Sequence, residues 1–402
     1  MVVRGVELDR SVPALLFKVG RYPLHQGSVG AVRSLGRAGV PVHAVVEDAY
    51  TPTAVSRHLS RRHVWPTTGL EDPRALVERL LGIGRRLPAR AVLIPTDDEA
   101  ALLAAGARDR LAECFLLPKV DPGLPAGLAG KRGLYRRCLA HGVPAPDTRF
   151  PADREQLTAF AAELGYPVVV KNLAPWDRLR APVVPGTTLV RDRRALLALV
   201  GEPRAVLLQA YVPREAAQDW IVHLYAAPDG RCAPVFTGLK LRSWPPHAGV
   251  TTYARALANP GLARRSARLC RALGYRGPAD LDWRLDLRDG RYKLVDFNPR
   301  VGAQFRMFET AGGLDVVRAL HLDLTGRPIP SGGQREGRRY VAEHLDPAAF
   351  VAYRGRCGVA RPPGRAPGHG GVEAAWLALD DPLPAVVTAV RVLALAVRRR
   401  RH

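Results

Sequence analysis

The chain has 402 residues, 47% hydrophobic and 24% charged, the balance of a globular protein with room for two or three cores. No apolar run reaches the roughly 18 residues of a membrane-spanning helix, and the opening MVVRGVELDRSVPALLF has no secretory pattern. Five scattered cysteines (Cys114, Cys138, Cys232, Cys270, Cys357) lack metal spacing, so a reduced, cytoplasmic setting is expected.

The net charge of +23 rests on 54 Arg and only six Lys, spread along the chain with no aromatic nucleic-acid signature. That bias reads as coding composition, and no specific nucleic-acid partner is expected. It also makes each lysine informative, because a compact ammonium has been kept where Arg was the default.

In the first third, GSVGAVRSLGRAGVPVHAVVED reads as loop, helix, a stop at Gly39 and a buried strand. AVLIPTDDEAALLAAG repeats that order, which predicts a parallel α/β domain over 1–122. Ligands of such sheets sit beyond the carboxyl ends of strands, here Gln26–Ser28 and Pro95–Glu99. His25, Gln26 and Ser28 are candidates for the substrate side, against an ordinary helix cap.

PKVDPGLPAGLAG marks a boundary, and 123–330 reads as an α+β domain with strands and hairpins. From 331 to 402 a C-terminal extension follows, with a closing helix in PLPAVVTAVRVLALAVRRRRH. Packing of that helix on the body is the plain reading. The sharper one is a peripheral membrane contact through its basic end.

The hairpin DLDWRLDLRDGRYKLVDFNPR carries the densest chemistry. Period two places Asp280, Asp282 and Arg284 on one face, and Leu281, Trp283 and Leu285 on the other. A three-residue turn Arg288–Gly290, with Gly290 left-handed, would pair Asp282 with Asp296, Asp280 with Asn298, Leu281 with Phe297 and Trp283 with Val295. It would set Lys293 opposite Leu285 as a strand-edge charge.

Directly opposed carboxylates repel unless they share a proton or hold a cation. With Asn298 beside them the donors are all oxygen, which suits Mg²⁺. Arg300, one step further, is placed to stabilise phosphoryl charge. A solvated hairpin face is the alternative.

At this point the sequence resembles the ATP-grasp superfamily, in the form Asp296-Phe297-Asn298-Pro299-Arg300 seen in the carbamoyl phosphate synthetase large subunit. Residues 20–330 follow the expected order, with the first third similar to the pre-ATP-grasp domain of carboxylate–amine ligases. The resemblance implies a parallel-sheet domain followed by an ATP-grasp fold with antiparallel sheets. It makes Lys131 and Lys171 phosphate ligands, and Gln209, Tyr211 and Val212 of QAYVP the adenine hinge. Asp219 or Glu215 would take the ribose. Lys240 and Arg242 resemble a basic pair near the phosphates or the substrate carboxylate.

Asp282, Asp296 and Asn298 would hold Mg²⁺, with Mn²⁺ as the alternative ion, and Arg300 would stabilise the transition state. The activity implied is ATP-dependent joining of a carboxylate to an amine through an acyl phosphate. The segment NLAPWDRLRAPVVPGTTLV departs from the usual glycine-rich lid, with Arg178 or Arg180 as substitutes. A nucleotide-binding regulator with a degenerate site is therefore the alternative. His247 is a weaker substrate candidate, and Glu309 would cap a helix or line the site.

Overall fold

The structure, a computed structural model, describes residues 6–174, 182–246, 249–354 and 370–400. Arg178, Arg180 and His247 lie outside the described residues.

The first third folds as expected into a parallel sheet of β1 (Ala14–Phe17), β2 (Val42–Val46), β3 (Arg61–Val64), β4 (Ala91–Pro95) and β5 (Phe115–Leu116), in the order β3-β2-β1-β4-β5. Apolar runs such as ALLF and AVLIP are buried on both sides, the pattern of strands covered by helices on each face. The strand order reverses between β1 and β4, which opens a crevice at their carboxyl ends.

Two largely antiparallel sheets follow, the second ending in one parallel pair. One has four strands, β6 (Thr148–Arg149), β7 (Val168–Asn172), β8 (Thr188–Val190) and β9 (Val206–Ala210), ordered β6-β9-β7-β8. The other has seven: β10 (Ala217–Ala226), β11 (Cys232–Trp244), β12 (Val250–Ala256), β13 (Gly277–Asp286), β14 (Arg291–Asn298), β15 (Arg339–Val341) and β16 (Val372–Ala374). Its order is β14-β13-β10-β11-β12-β15-β16, so residues beyond 331 complete the sheet that the hairpin begins.

One face of the large sheet is continuously apolar. Trp220, Val222, Leu224, Leu281, Trp283 and Phe297 are buried there, in one core with residues of the helices Leu124–Ala129, Lys131–Ala140 and Pro260–Ala272. The other face is divided. Ile221, Tyr225 and Phe236 join a core shared with the helices Gln26–Gly36 and Val316–Leu324. The rest of that face is polar, and there the charged residues gather.

The hairpin register holds at the site, but by a different route from the one expected. The turn has four residues, Leu287–Gly290, and closes on Asp286 opposite Arg291. One extra residue, Val295, then bulges from β14, which restores Asp282 opposite Asp296 and Asp280 opposite Asn298. Trp283 consequently faces Leu294 rather than Val295. Lys293 faces Arg284, and its ammonium bonds Asp286 (2.7 Å) and Asp289 (2.9 Å), so it ties the turn instead of marking an edge.

Candidate active site

The two sheets are joined by the chain itself, since β9 runs through Tyr211–Ala216 into β10. Gln209 on β9 donates to Thr148 Oγ1 at 3.1 Å, while Val212 is buried and its carbonyl accepts from Arg284 at 3.4 Å. Glu215 is exposed in that connection, whereas Asp219 is gripped by Arg284 through two bonds of 2.7 and 2.9 Å. Burial opposes ionisation of Asp219, yet the Arg284 guanidinium holds its carboxyl below the usual range.

Three lysines converge on the hairpin. Lys131 opens its helix, with its backbone N–H on the Leu173 carbonyl just past β7, and its ammonium meets Asp296 Oδ1 at 2.5 Å. Lys171 lies on β7 across from Leu207 and is 6% exposed. Burial, reinforced by the neighbouring Lys131 charge, pushes its ammonium down to about 8. Lys240 on β11 stands beside Asp219 in register and reaches Asp282 Oδ1 at 3.3 Å. Against burial, Lys131 and Lys171 hold Asp296 below its usual range, and Asp282 and Asp219 hold Lys240 above its own.

Lys240 and Arg242 do not act as a pair here. A register shift separates them, and Arg242 makes two bonds (2.8 and 2.6 Å) to Asp346 of the helix Asp346–Arg354. Its guanidinium also lies over the Tyr253 ring at 4.2 Å. The same helix places the Tyr353 hydroxyl 3.1 Å from the Ser243 N–H, and the Tyr353 ring beneath Arg214 at 3.9 Å. The helix Asp346–Arg354 therefore touches both Arg214, just before β10, and Arg242 and Ser243 on β11.

Arg300 crosses to the first domain. Its Nε donates to Asp98 Oδ1 at 3.0 Å, while its other end lies 3.6 Å from Asp280 Oδ2. Asp98 opens the helix Asp98–Gly106, whose cap Asp97 also accepts the Val19 and Gly20 N–H groups at the end of β1. Burial pushes Asp97 up to about 6 and Glu99 up to about 8. His25 caps the helix Gln26–Gly36 by accepting the Ser28 N–H, and the Tyr340 hydroxyl donates to Gln26.

Sequence reasoning passed over Asp98, Arg284, His223 and Asp346. His223 is fully buried, and Nε2 lies 3.3 Å from Asp280 Oδ1. Burial holds His223 down at about 3 and pushes Asp280 up to about 7, with the Asp282 charge adding to the latter. Asp98 and Arg284 stood in stretches already singled out, but nothing local announced Asp346. Glu309 caps no helix; it sits among Arg306, Arg335 and Arg338.

Among the described residues no group of three or more His, Cys, Asp or Glu forms a metal centre. The donor set of Asp282, Asp296 and Asn298 is nonetheless all oxygen, with both carboxylates opposed in register and each facing a lysine. Those donors fit a hard divalent cation that keeps waters and shares phosphate oxygens. At the end of β7, Asn172 bonds Val183 and Val184: Nδ2 donates to the Val184 carbonyl, while Oδ1 accepts from the Val183 and Val184 N–H groups.

No family model matches the chain. It is similar to D-aspartate ligase of Enterococcus faecium (strain Aus0004), 22% identical over 335 residues, covering 79% of this chain and 77% of that one. A 172-residue stretch is 35% identical to tRNA dimethylallyltransferase of Anaeromyxobacter dehalogenans (strain 2CP-1 / ATCC BAA-258), covering 40% of this chain but spanning only 52% of that protein.

Among solved structures, N5-carboxyaminoimidazole ribonucleotide synthetase in complex with ADP superposes with a TM-score of 0.61 at 14% identity, covering 83% of this chain and 81% of that one. L-amino acid ligase from Bacillus licheniformis gives 0.57 at 18%, covering 78% and 74%. The biotin carboxylase domain of Hydrogenobacter thermophilus 2-oxoglutarate carboxylase, solved with MgADP, ADP and bicarbonate, gives 0.57 at 15%, covering 79% and 71%. A parallel sheet followed by two largely antiparallel sheets, superposing on these structures, is the ATP-grasp fold.

Proposed function

On the premise that this chain has the ATP-grasp fold, we propose that it is an ATP-dependent ligase joining a carboxylate to an amine, with release of ADP and phosphate. The observation that carries this reading is the convergence of Lys131, Lys171 and Lys240 on the opposed carboxylates Asp296 and Asp282. Buried positive charge concentrated beside two carboxylates suits a magnesium nucleotide, whose phosphates the lysines bind and whose cation the carboxylates bind. The ligase and synthetase names among the neighbours support the reaction class.

The roles proposed for the residues are these. Adenine would meet the backbone of Gln209, Tyr211 and Val212, and the ribose would meet Glu215, since Asp219 is committed to Arg284. Lys131 and Lys171 would neutralise the phosphates. Asp282, Asp296 and Asn298 would hold Mg²⁺, which supplies charge neutralisation between phosphate groups. The substrate carboxylate oxygen would attack the γ-phosphorus, breaking its bond to ADP. The amine would then attack the acyl carbon and expel phosphate, its proton leaving to solvent.

Arg300, held by Asp98 from one side, would steady charge on the transferring group. The substrates would be an amino acid, a small peptide or a specialised-metabolite acid, approaching from the crevice beyond β1 and β4. Lys240, beside Asp282, would meet the phosphates or the substrate carboxylate, and Arg242 would support β11 through Asp346.

The test is ADP formation from MgATP, screened against pairs of acids and amines. Stimulation that needs both members of one pair supports the ligase. ATP binding with no stimulation by any pair would favour the nucleotide-binding regulator instead.

A further inference from the structure

The helix Leu383–Arg400 is held to the body along one side only. Pro384 and Thr388 are buried there, and Arg391 donates to the Asp48 carboxylate and to the Tyr50 carbonyl. The opposite side carries Leu383, Val386, Val390, Leu393 and Val397, spaced alternately by three and four residues so that they form one stripe. These five side chains are 52% to 66% exposed. From Leu393 to Val397 every side chain is exposed, Leu395 included, so this part of the helix is apolar around its whole girth.

The charge carried by this segment itself has one sign. From Pro382 to His402 there is no acidic residue, and the stripe is followed in sequence by Arg398, Arg399, Arg400 and Arg401. Before the helix, Asp380 is engaged by Arg37 and His58, and Asp381 by Arg33.

We propose that this face docks on an anionic lipid surface, with the helix lying in the plane of the headgroups. Apolar side chains on one face and basic residues without acids are what such a surface recognises. Among the described residues no helix is long and apolar enough to cross a membrane, so the contact is peripheral. A second copy of the chain is the weaker occupant. Packed in parallel on the stripe, it would bring one arginine run against the other. Packed antiparallel, it would bring that run to Asp380 and Asp381, whose charges are already matched.

The experiment is sedimentation of the full chain with vesicles of phosphatidylcholine, with or without about one-third phosphatidylglycerol. Binding is expected to the anionic vesicles at low salt. It should fall at least about tenfold in neutral vesicles, or in roughly 1 M salt where the screening length shrinks to about 3 Å. The double substitution Val390→Glu with Leu393→Glu should lower binding by a similar factor while leaving the unfolding midpoint and ATP binding unchanged, because both side chains face outward.

Three results overturn the proposal. One is no sedimentation with anionic vesicles at low salt. Another is binding that the double substitution does not weaken, which would assign it to the general basic charge. The third is a concentration-dependent dimer in light scattering that the double substitution dissolves, which would make the face an interface between copies.

Discussion

Replacing Lys171 by Met separates the cost of the candidate site from its use. The wild-type ammonium is nearly inaccessible on β7, and burial with the Lys131 charge lowers it from 10.5 to about 8. A shift of that size corresponds to about 3 kcal/mol of stability forfeited below pH 8. The sign follows from proton counts. Below pH 8 the amine is charged in both states, and the folded chain bears the full penalty. Between pH 8 and 10.5 the unfolded chain binds more protons, so stability rises with pH. Above 10.5 the penalty is gone.

Methionine has similar reach and no charge. Lys171→Met is therefore expected to raise the stability of ligand-free protein at pH 7 by about 2–3 kcal/mol, and to flatten the rise between pH 8 and 10.5. Urea melts of both proteins at pH 7, 9 and 10.5 measure the stability, and calorimetry with MgATP measures binding, which should weaken at least tenfold. A variant less stable than wild type at pH 7, or one that binds ATP as well, would refute the assignment of Lys171 as a buried phosphate ligand.

Further expectations concern how the site is held. In a double-mutant cycle, Arg242→Ala and Asp346→Ala should couple by about 1–3 kcal/mol, because the pair is bidentate and mostly shielded; additive losses would show that the helix Asp346–Arg354 is not anchored there. Asp98→Asn frees one end of Arg300, so kcat should fall about tenfold with little change in KM for ATP, while Arg300→Ala should cost on the order of a hundredfold or more. Equal effects on ATP affinity would place Arg300 on the nucleotide instead. Gly302→Ala would set a Cβ 2.2 Å from His223 Cε1 and 2.5 Å from Asp280 Oδ2, and should destabilise by roughly 2 kcal/mol or more. A thermal melt matching wild type would mean that this cluster yields more readily than its packing implies.

The two sheet classes and the placement of the hairpin were legible because alternation fixes which residues share a face. The register at Asp282 and Asp296 was legible only in outcome. A turn one residue longer than expected and a bulge at Val295 cancel, and neither has a local signal as strong as the alternation itself. Contacts made across the chain were the least visible. Asp98 and Arg300 are 202 positions apart, and Arg242 and Asp346 are 104 apart, so only the folded topology shows that each arginine already has a carboxylate partner. The lysines were readable for a compositional reason: in an arginine-rich chain, three of the six stand at one site.

The measurement closest to the central claim follows the carboxylate oxygen. Once a productive acid and amine pair is found, the acid is labelled with heavy oxygen, and the released phosphate is analysed by mass spectrometry. Transfer through an acyl phosphate predicts one labelled oxygen in the phosphate for each bond formed, with no product from Asp296→Ala. Phosphate carrying no label while the amide forms would contradict the account.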